Sequence, residues 1–329
     1  VEKNDKQDFF EKFWNTTLDD KKGLTVVEIV DAIHENTIKG MYILGENPAM
    51  SDPDLNHARE ALQMLEHLVV QDIFLTETAT YADVIFPASA WPEKNGTATN
   101  TNRQVQMGRK ALDAPGLAKE DWWITNELGK RMGLSWNYKH PKEIYKEMSH
   151  TMPSLNNISW ERLEKESSVT YPSKSPTMPG EEIVFGDKFP NETGRGKFVP
   201  ASVTSPNEVP DKDYEMILTT GRQLEHWHTG AMTRKASNLD ALEPEATVSI
   251  SPNEILKNNM KPGDEIKVST RRGSINIKVR EDRGIPEGVI FIPFCYNEAA
   301  ANLLTNPALD PYGKIPEFKY CAAKIEKIN

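Results

Sequence analysis

The chain has 329 residues and a mass of 37.1 kDa, more than one compact domain usually holds, so two domains are expected, each able to bury its own core. Its formal charge of -10 and pI near 5.4 exclude binding to nucleic acid or an anionic membrane by charge alone, so any anionic ligand has to be held by local donors. Two cysteines, Cys295 and Cys321, exclude a disulfide framework and a four-cysteine cluster within the chain and fit a reducing cytoplasm.

In chain order, the first twenty residues lack the basic-then-apolar pattern of a signal peptide, and no later apolar run reaches the ~18 residues of a membrane span. The opening Val1 in place of Met is read as a start inside a longer protein, or as processing. "TVVEIVDAI" then carries Thr25 as a helix N-cap, Glu28 three residues on, and Val26, Ile29, Val30 and Ile33 at helical spacing. An apolar run from Met41 to Leu44 ends in glycine, and Ser51-Asp52-Pro53 is the expected start of a helix presenting Leu55, Ala58, Leu62 and Leu65 on one face. Further apolar runs, Leu68 to Val70 and "ADVIFPAS", alternate with these helices, which predicts an α/β domain with a parallel sheet over residues 1–150.

From about Thr151 to Pro210 the pattern degrades, and seven of the 22 prolines fall between Tyr171 and Pro210. This stretch, 151–210, is read as an irregular connection. Residues 211–329 are all-β in character: "YEMILTT", "ATVSIS", "DEIKVST", "GSINIKV" and "GVIFIPF" are short Ile- and Val-rich runs parted by "KPGD", "RRG" and "IPEG". Five or six such strands predict a small barrel.

In an open parallel sheet ligands gather at the carboxyl ends of strands. "LGENPAMSDP" leaves one strand through Gly45 and offers Glu46 and Asn47, and "VVQD" sets Asp72 at the end of the next, where a carboxylate can accept from a ribose hydroxyl or a guanine edge. A turn glycine and a capping aspartate are the commoner explanations of those two features. Lys94 and Arg103 come from the polar loop "WPEKNGTATNTNRQ", which also suits plain solvation, and Asp121 reads as the N-cap of "WWITNELGKRMG". The densest stretch is "TTGRQLEHWHTGAMTR", Thr219 to Arg234. His226 and His228 are two apart and would share one face of a strand, but a third metal ligand is lacking, since Glu225 would face the other way. A glycine-bounded cradle of donors for an extended, anionic ligand fits the stretch better.

"GENP", "QDIFLTETATYADVIFPASAWPEKNGTATNTNRQVQ", "KEDWWITNELGKRMG", "TTGRQLEHWHTG" and "NLLTNPALDPYGKIPEFKYCAAK" together resemble the C-terminal part of the molybdopterin-dependent oxidoreductases, formate dehydrogenase alpha subunits above all. The resemblance runs from about Leu24 to Ile325. It implies a double-psi-type barrel that binds a pterin dinucleotide, and a molybdenum or tungsten centre with two molybdopterin guanine dinucleotides. It places Asn47 beside the dinucleotide, Gln71 and Asp72 at its guanosine, Lys94 near them and Asp121 on guanine. Thr220, Gly221, Arg222, Gln223, His226, Trp227, His228 and Thr229 would wrap a pterin and its pyrophosphate, with Phe294, Asn302 and Lys319 completing the pocket.

The family's 4Fe-4S cysteine motif, its catalytic Cys or selenocysteine and the accompanying His and Arg match no segment here, so no catalytic or metal-ligating residue is assigned. The resemblance implies partners in the N-terminal part of the same enzyme and in an electron-transfer subunit or domain, with formate as substrate. Nitrate reductase is a rival within the class. A non-catalytic structural relative in a respiratory NADH dehydrogenase is a rival from outside it, opposed by the retained polar set.

Overall fold

The computed structural model describes residues 5–328; Val1, on which the expectation of an internal start rests, lies outside them. Contacts group the chain into two compact units that interleave along it. One holds the chain up to Val69, Leu75–Asp83 and everything from Ser205 onward, and the other holds Val70–Phe74 and Val84–Thr204.

The first unit begins with α1 (Asp5–Trp14) and α2 (Val26–His34). The Glu28 carboxylate accepts from the Thr25 N–H at 2.8 Å and the Thr25 hydroxyl at 2.7 Å, which fixes the start of α2 at the predicted residue. β1 (Gly40–Leu44) follows, then a single turn, α3 (Pro48–Ser51), and α4 (Leu55–Met64). The expected helix start at Ser51-Asp52-Pro53 is displaced. Pro48 opens its own turn, Pro53 keeps Asp52 extended at ψ 151°, and α4 starts only after Asp54. Leu55, Ala58 and Leu62 are buried on the face that their spacing predicted. β2 (His67–Asp72) carries the chain out of this unit, and with β1 and β3 (Val84–Pro87) it forms a parallel sheet of order β1-β2-β3.

The second unit contains β4 (Gly96–Thr99), β5 (Gln104–Gly108), α5 (Asp121–Arg131), α6 (Pro141–Thr151), α7 (Trp160–Glu166) and β6 (Ser168–Thr170). β4, β5 and β6 make an antiparallel sheet, and Val105, Tyr145, Ile158, Trp160, Leu163 and Val169 close a core against it. The irregular stretch therefore starts later than expected, after Thr170. α7 is only seven residues long, too short to show a helical period in the sequence. Beyond β6, among the described residues, no strand or helix appears before Met216. Two arginines hold this coil by its carbonyls. Buried Arg162 donates to Asn157, Ser175 and Met178 oxygens, and Arg103 donates to those of Tyr171, Glu181 and Glu182. Coil carbonyls outside any ladder need such donors.

The rest of the first unit is a barrel. Its elements are β7 (Met216–Gly221), α8 (Ser237–Leu242), β8 (Thr247–Ile250), α9 (Pro252–Lys257), β9 (Glu265–Ser269), β10 (Ser274–Glu281), β11 (Val289–Pro293), β12 (Asn306–Leu309), β13 (Pro316–Glu317) and β14 (Cys321–Lys327). Six strands close in the order β10-β8-β11-β7-β14-β9, with β10/β8 and β11/β7 parallel and the other pairs with resolved register antiparallel. Leu218, Val248, Ile250, Ile266, Val268, Ile290 and Ile292 fill the interior with no exposed surface, each contributing about 2 kcal/mol of transfer free energy. Cys295 and Cys321 are free thiols in this core, and burial pushes them up to about 12 and about 11.

The coil that enters the barrel is tied down by Glu208. Its carboxylate takes both Arg272 terminal nitrogens, at 2.8 and 3.0 Å, and the Ala322 N–H at 2.7 Å. Burial alone would raise the Glu208 pKa, but Arg272, the Ala322 N–H and Arg271 outweigh it and hold the carboxyl below the usual range. Glu208→Ala leaves Arg272 buried without its partner and should cost about 3 kcal/mol in urea denaturation at pH 7. Because the folded-state pKa is depressed, the wild-type advantage should be lost as the pH falls through the carboxylate range.

Candidate functional site

β7 ends at Gly221, opposite Pro293 of β11, and Phe294 follows with its N–H on the Gly221 carbonyl at 3.2 Å. On the other side of β7, the Thr220 hydroxyl donates to the Phe318 carbonyl at 2.8 Å, and Lys319 Nζ donates to the Thr220 carbonyl at 2.7 Å. Lys319 lies 5.2 Å over the Phe294 ring. His228 stands 6.4 Å from Phe294 and accepts at Nε2 from Arg222 Nη2 at 3.3 Å, and Arg222 covers the Trp227 ring at 5.3 Å. Three distant segments thus meet in one cluster of two cations and three aromatic rings. Among the described residues neither Arg222 nor Lys319 has a carboxylate partner. Burial, and then the charge of Arg222, hold the Lys319 ammonium below its usual pKa. Paired, uncompensated cations beside flat rings suit a bidentate phosphate acceptor and a stacking heterocycle.

The other residues expected here are placed differently. His226 and His228 do not share a strand face, because β7 stops at Gly221 and the chain turns, with the Gln223 carbonyl accepting from the His226 N–H. His226 is 2% exposed, donates Nε2–H to the Glu243 carbonyl at 2.8 Å and packs edge-on against Tyr296, and its Nδ1 is buried without a partner. His228 is exposed, at φ 49°. The Gln223 amide donates to Glu225. Thr229 and Gly230 line a small cavity of about 170 Å³ with Thr76, Glu77 and Arg234. The Asn47 side-chain oxygen Oδ1 accepts from the Thr78 N–H and hydroxyl while its side-chain amide donates to Glu77, and the Asn302 side-chain amide donates to the Met50 and Ser51 backbone carbonyls. Both asparagines are buried, and they brace α3 and the turn around Thr78.

In the second unit, Asp121 is the centre of another cluster. It is the first residue of α5, which Glu120 precedes as N-cap, so the capping role expected for Asp121 does not hold. Its carboxylate instead accepts from Gln71 Nε2 at 2.7 Å and from Lys94 Nζ, which also donates to the Ser89 carbonyl at 2.8 Å. Asp72, the last residue of β2, accepts from the Ile73 N–H at 2.6 Å. Burial pushes its carboxyl up, the Ile73 and Phe74 N–H groups oppose this, and the charge of Asp121 adds to the rise. The structure therefore unites Gln71, Asp72, Lys94 and Asp121, and leaves Arg103 to the coil. Sequence reasoning missed Ser89, whose fully buried Oγ has no partner; its one signal was its place just past β3 in "IFPAS".

Comparison with known families identifies the class. Residues 10–131 match the family described as Molybdopterin oxidoreductase, and residues 216–322 match the Molydopterin dinucleotide binding domain. The chain belongs to the molybdopterin oxidoreductases. It is similar to curated proteins named formate dehydrogenase. It is 46% identical over 321 residues to the F420-dependent formate dehydrogenase subunit alpha of Methanocaldococcus jannaschii, covering 97% of this chain and 47% of that one. It is 34% identical over 322 residues to a putative formate dehydrogenase of Bacillus subtilis, covering 97% and 33% respectively. The chain thus spans about half the length, or less, of these relatives. Acetylene hydratase from Pelobacter acetylenicus superimposes with a TM-score of 0.74 over 92% of this chain and 46% of that one, a likeness of fold at 20% identity.

The turn that carries Thr229 depends on Gly230, at φ 75°, where a Cβ would stand 2.6 Å from the Cys295 carbonyl oxygen. Gly263 has a similar φ of 88° but open space around it. Gly230→Ala should lower stability by about 3 kcal/mol and Gly263→Ala by about 1 kcal/mol, compared by chemical denaturation.

Proposed function

We propose that the chain is the cofactor-holding part of a formate dehydrogenase alpha subunit, carrying molybdenum or tungsten on two molybdopterin guanine dinucleotides within a longer polypeptide. The observation that carries this reading is the pair Arg222 and Lys319, set beside Phe294, Trp227 and His228 with no carboxylate partner among the described residues. Formate is preferred to nitrate because the curated relatives are named formate dehydrogenases. The retained cations argue against a relative that has lost its ligand.

When bound, the metal-pterin group supplies the two-electron chemistry by which formate becomes carbon dioxide. The residues of this chain do the holding. Arg222 and Lys319 bind pyrophosphate oxygens, and the Thr220 carbonyl keeps the Lys319 ammonium directed. Trp227, His228 and Phe294 offer faces to the heterocycle. Asp72 and Asp121 accept from the guanine edge or ribose, and Lys94 and Gln71 fix the Asp121 carboxylate. We further read the barrel as the double-psi type. The 4Fe-4S cluster, the catalytic ligand and the contacts with an electron-transfer subunit or domain would belong to the remainder of the protein. A cytoplasmic setting agrees with two free thiols.

Lys319→Met and Asp121→Asn in the full-length protein should each lower bound molybdenum or tungsten and extractable GMP by about tenfold, measured by elemental analysis and chromatography. Melting temperatures serve to confirm that the variants are folded. Unchanged metal and nucleotide content in folded variants rejects the assignment.

A further inference from the structure

Away from these clusters, the first unit holds a cavity of about 380 Å³ between α2, β1 and α4. α2 turns Ile29 and Ile33 into it, α4 turns Ala58 and Leu62, and β1 turns Ile43. Its rim leaves Val26 57% and Leu44 47% exposed. Asp52 lines this apolar space and is itself 6% exposed. Among the described residues its carboxyl receives one hydrogen bond, from the Ser51 hydroxyl at 3.3 Å, and no cation faces it. The other titratable groups on the lining are Glu46, which adds like charge, and Tyr42; α2 and α4 present apolar side chains only. Burial, with a smaller push from Glu46, raises the Asp52 carboxyl to about 6. A buried acid with one donor, in an open apolar cavity, is an unfinished contact: the cavity has the surface to seat a chain segment, and the carboxylate lacks its counter-charge.

We infer that this cavity seats a segment of the same polypeptide from outside residues 1–329, one that covers the apolar lining and brings a lysine or arginine side chain to Asp52. The length of the relatives makes such a segment available, since 97% of this chain matches only 47% of a formate dehydrogenase subunit alpha. The inference rests on reading the chain as part of a longer polypeptide, and it is independent of the cofactor assignment, because its test reads folding without metal or nucleotide.

The test is Asp52→Asn, with thermal melting followed from pH 4 to pH 8 in two settings. In this chain alone the folded-state pKa lies above the unfolded one, so the stability linked to protonated Asp52 is present at low pH and lost as the pH rises through about 6. The substitution should then raise the melting temperature at pH 8 and have little effect at pH 4. In the full-length polypeptide purified alone, Asp52 becomes an ion-paired carboxylate. The same substitution should there lower the melting temperature at pH 8 by about 4 °C or more, and the loss should shrink as the pH falls. If the short chain does not fold, the full-length measurement decides by itself. A full-length variant that is unchanged or more stable at pH 8 overturns the inference, and so does a gene that encodes nothing beyond these residues. Destabilisation that disappears on exhaustive dialysis, or that appears only when a second subunit is added, assigns the cation elsewhere and equally overturns it.

Discussion

The pairing of β7 between β11 and β14 is the constraint on which the barrel and its site depend. Gly221 lies opposite Pro293 on one side, and Leu218 lies opposite Cys321 on the other. Those registers carry Arg222, Phe294 and Lys319 to the same end of adjacent strands, although about a hundred residues separate the first from the last. A slip of one residue would reverse every side chain of β7 between interior and exterior, expelling Leu218, so the packed core enforces the geometry of the polar cluster. Barrel stability and the placement of the polar cluster draw on the same hydrogen-bond ladder.

Charge is managed differently in the several parts of the molecule. Glu208 and Arg272 neutralise each other inside a dense network that fastens the approach to the barrel. Asp121 is compensated by Lys94 and Gln71, which fix its carboxylate while leaving it partly exposed. Among the described residues Arg222 and Lys319 have no such compensation. On a chain with a net charge of -10, two adjacent cations without a carboxylate partner among the described residues suit the external anion proposed above.

Much of the fold was legible because strong local patterns coincide with tertiary burial. The five predicted β runs became barrel strands, and Thr25 with Glu28 began a helix as their spacing required. The sixth barrel strand was allowed for in number but not located: "CAAKIEK" has small residues at its buried end and charges at the other, and it becomes a strand only by pairing with β7 and β9. α7 was hidden by its length. His226 was misjudged because two-residue periodicity holds only where the strand continues, and this one stops five residues earlier. Resemblance supplied the names Phe294 and Lys319; no local pattern could bring them to Arg222, since that meeting is made by long-range pairing. Asp121 looked like a cap because a carboxylate at a helix start usually is one, and its true partners lie 27 and 50 residues away.

The interleaving of the two units bears on the order in which the protein can assemble during synthesis. The second unit has all its residues once Thr204 has emerged, so its core around Trp160 can form while the barrel is still unmade. The first unit, although part of it precedes the second along the chain, must wait for β14, the last strand of the barrel. α3 and α4, whose Met50 and Leu55 pack on Ala300 and whose turn Asn302 braces, therefore lack those neighbours while about 240 intervening residues are made, the interval in which exposed apolar faces invite misassembly.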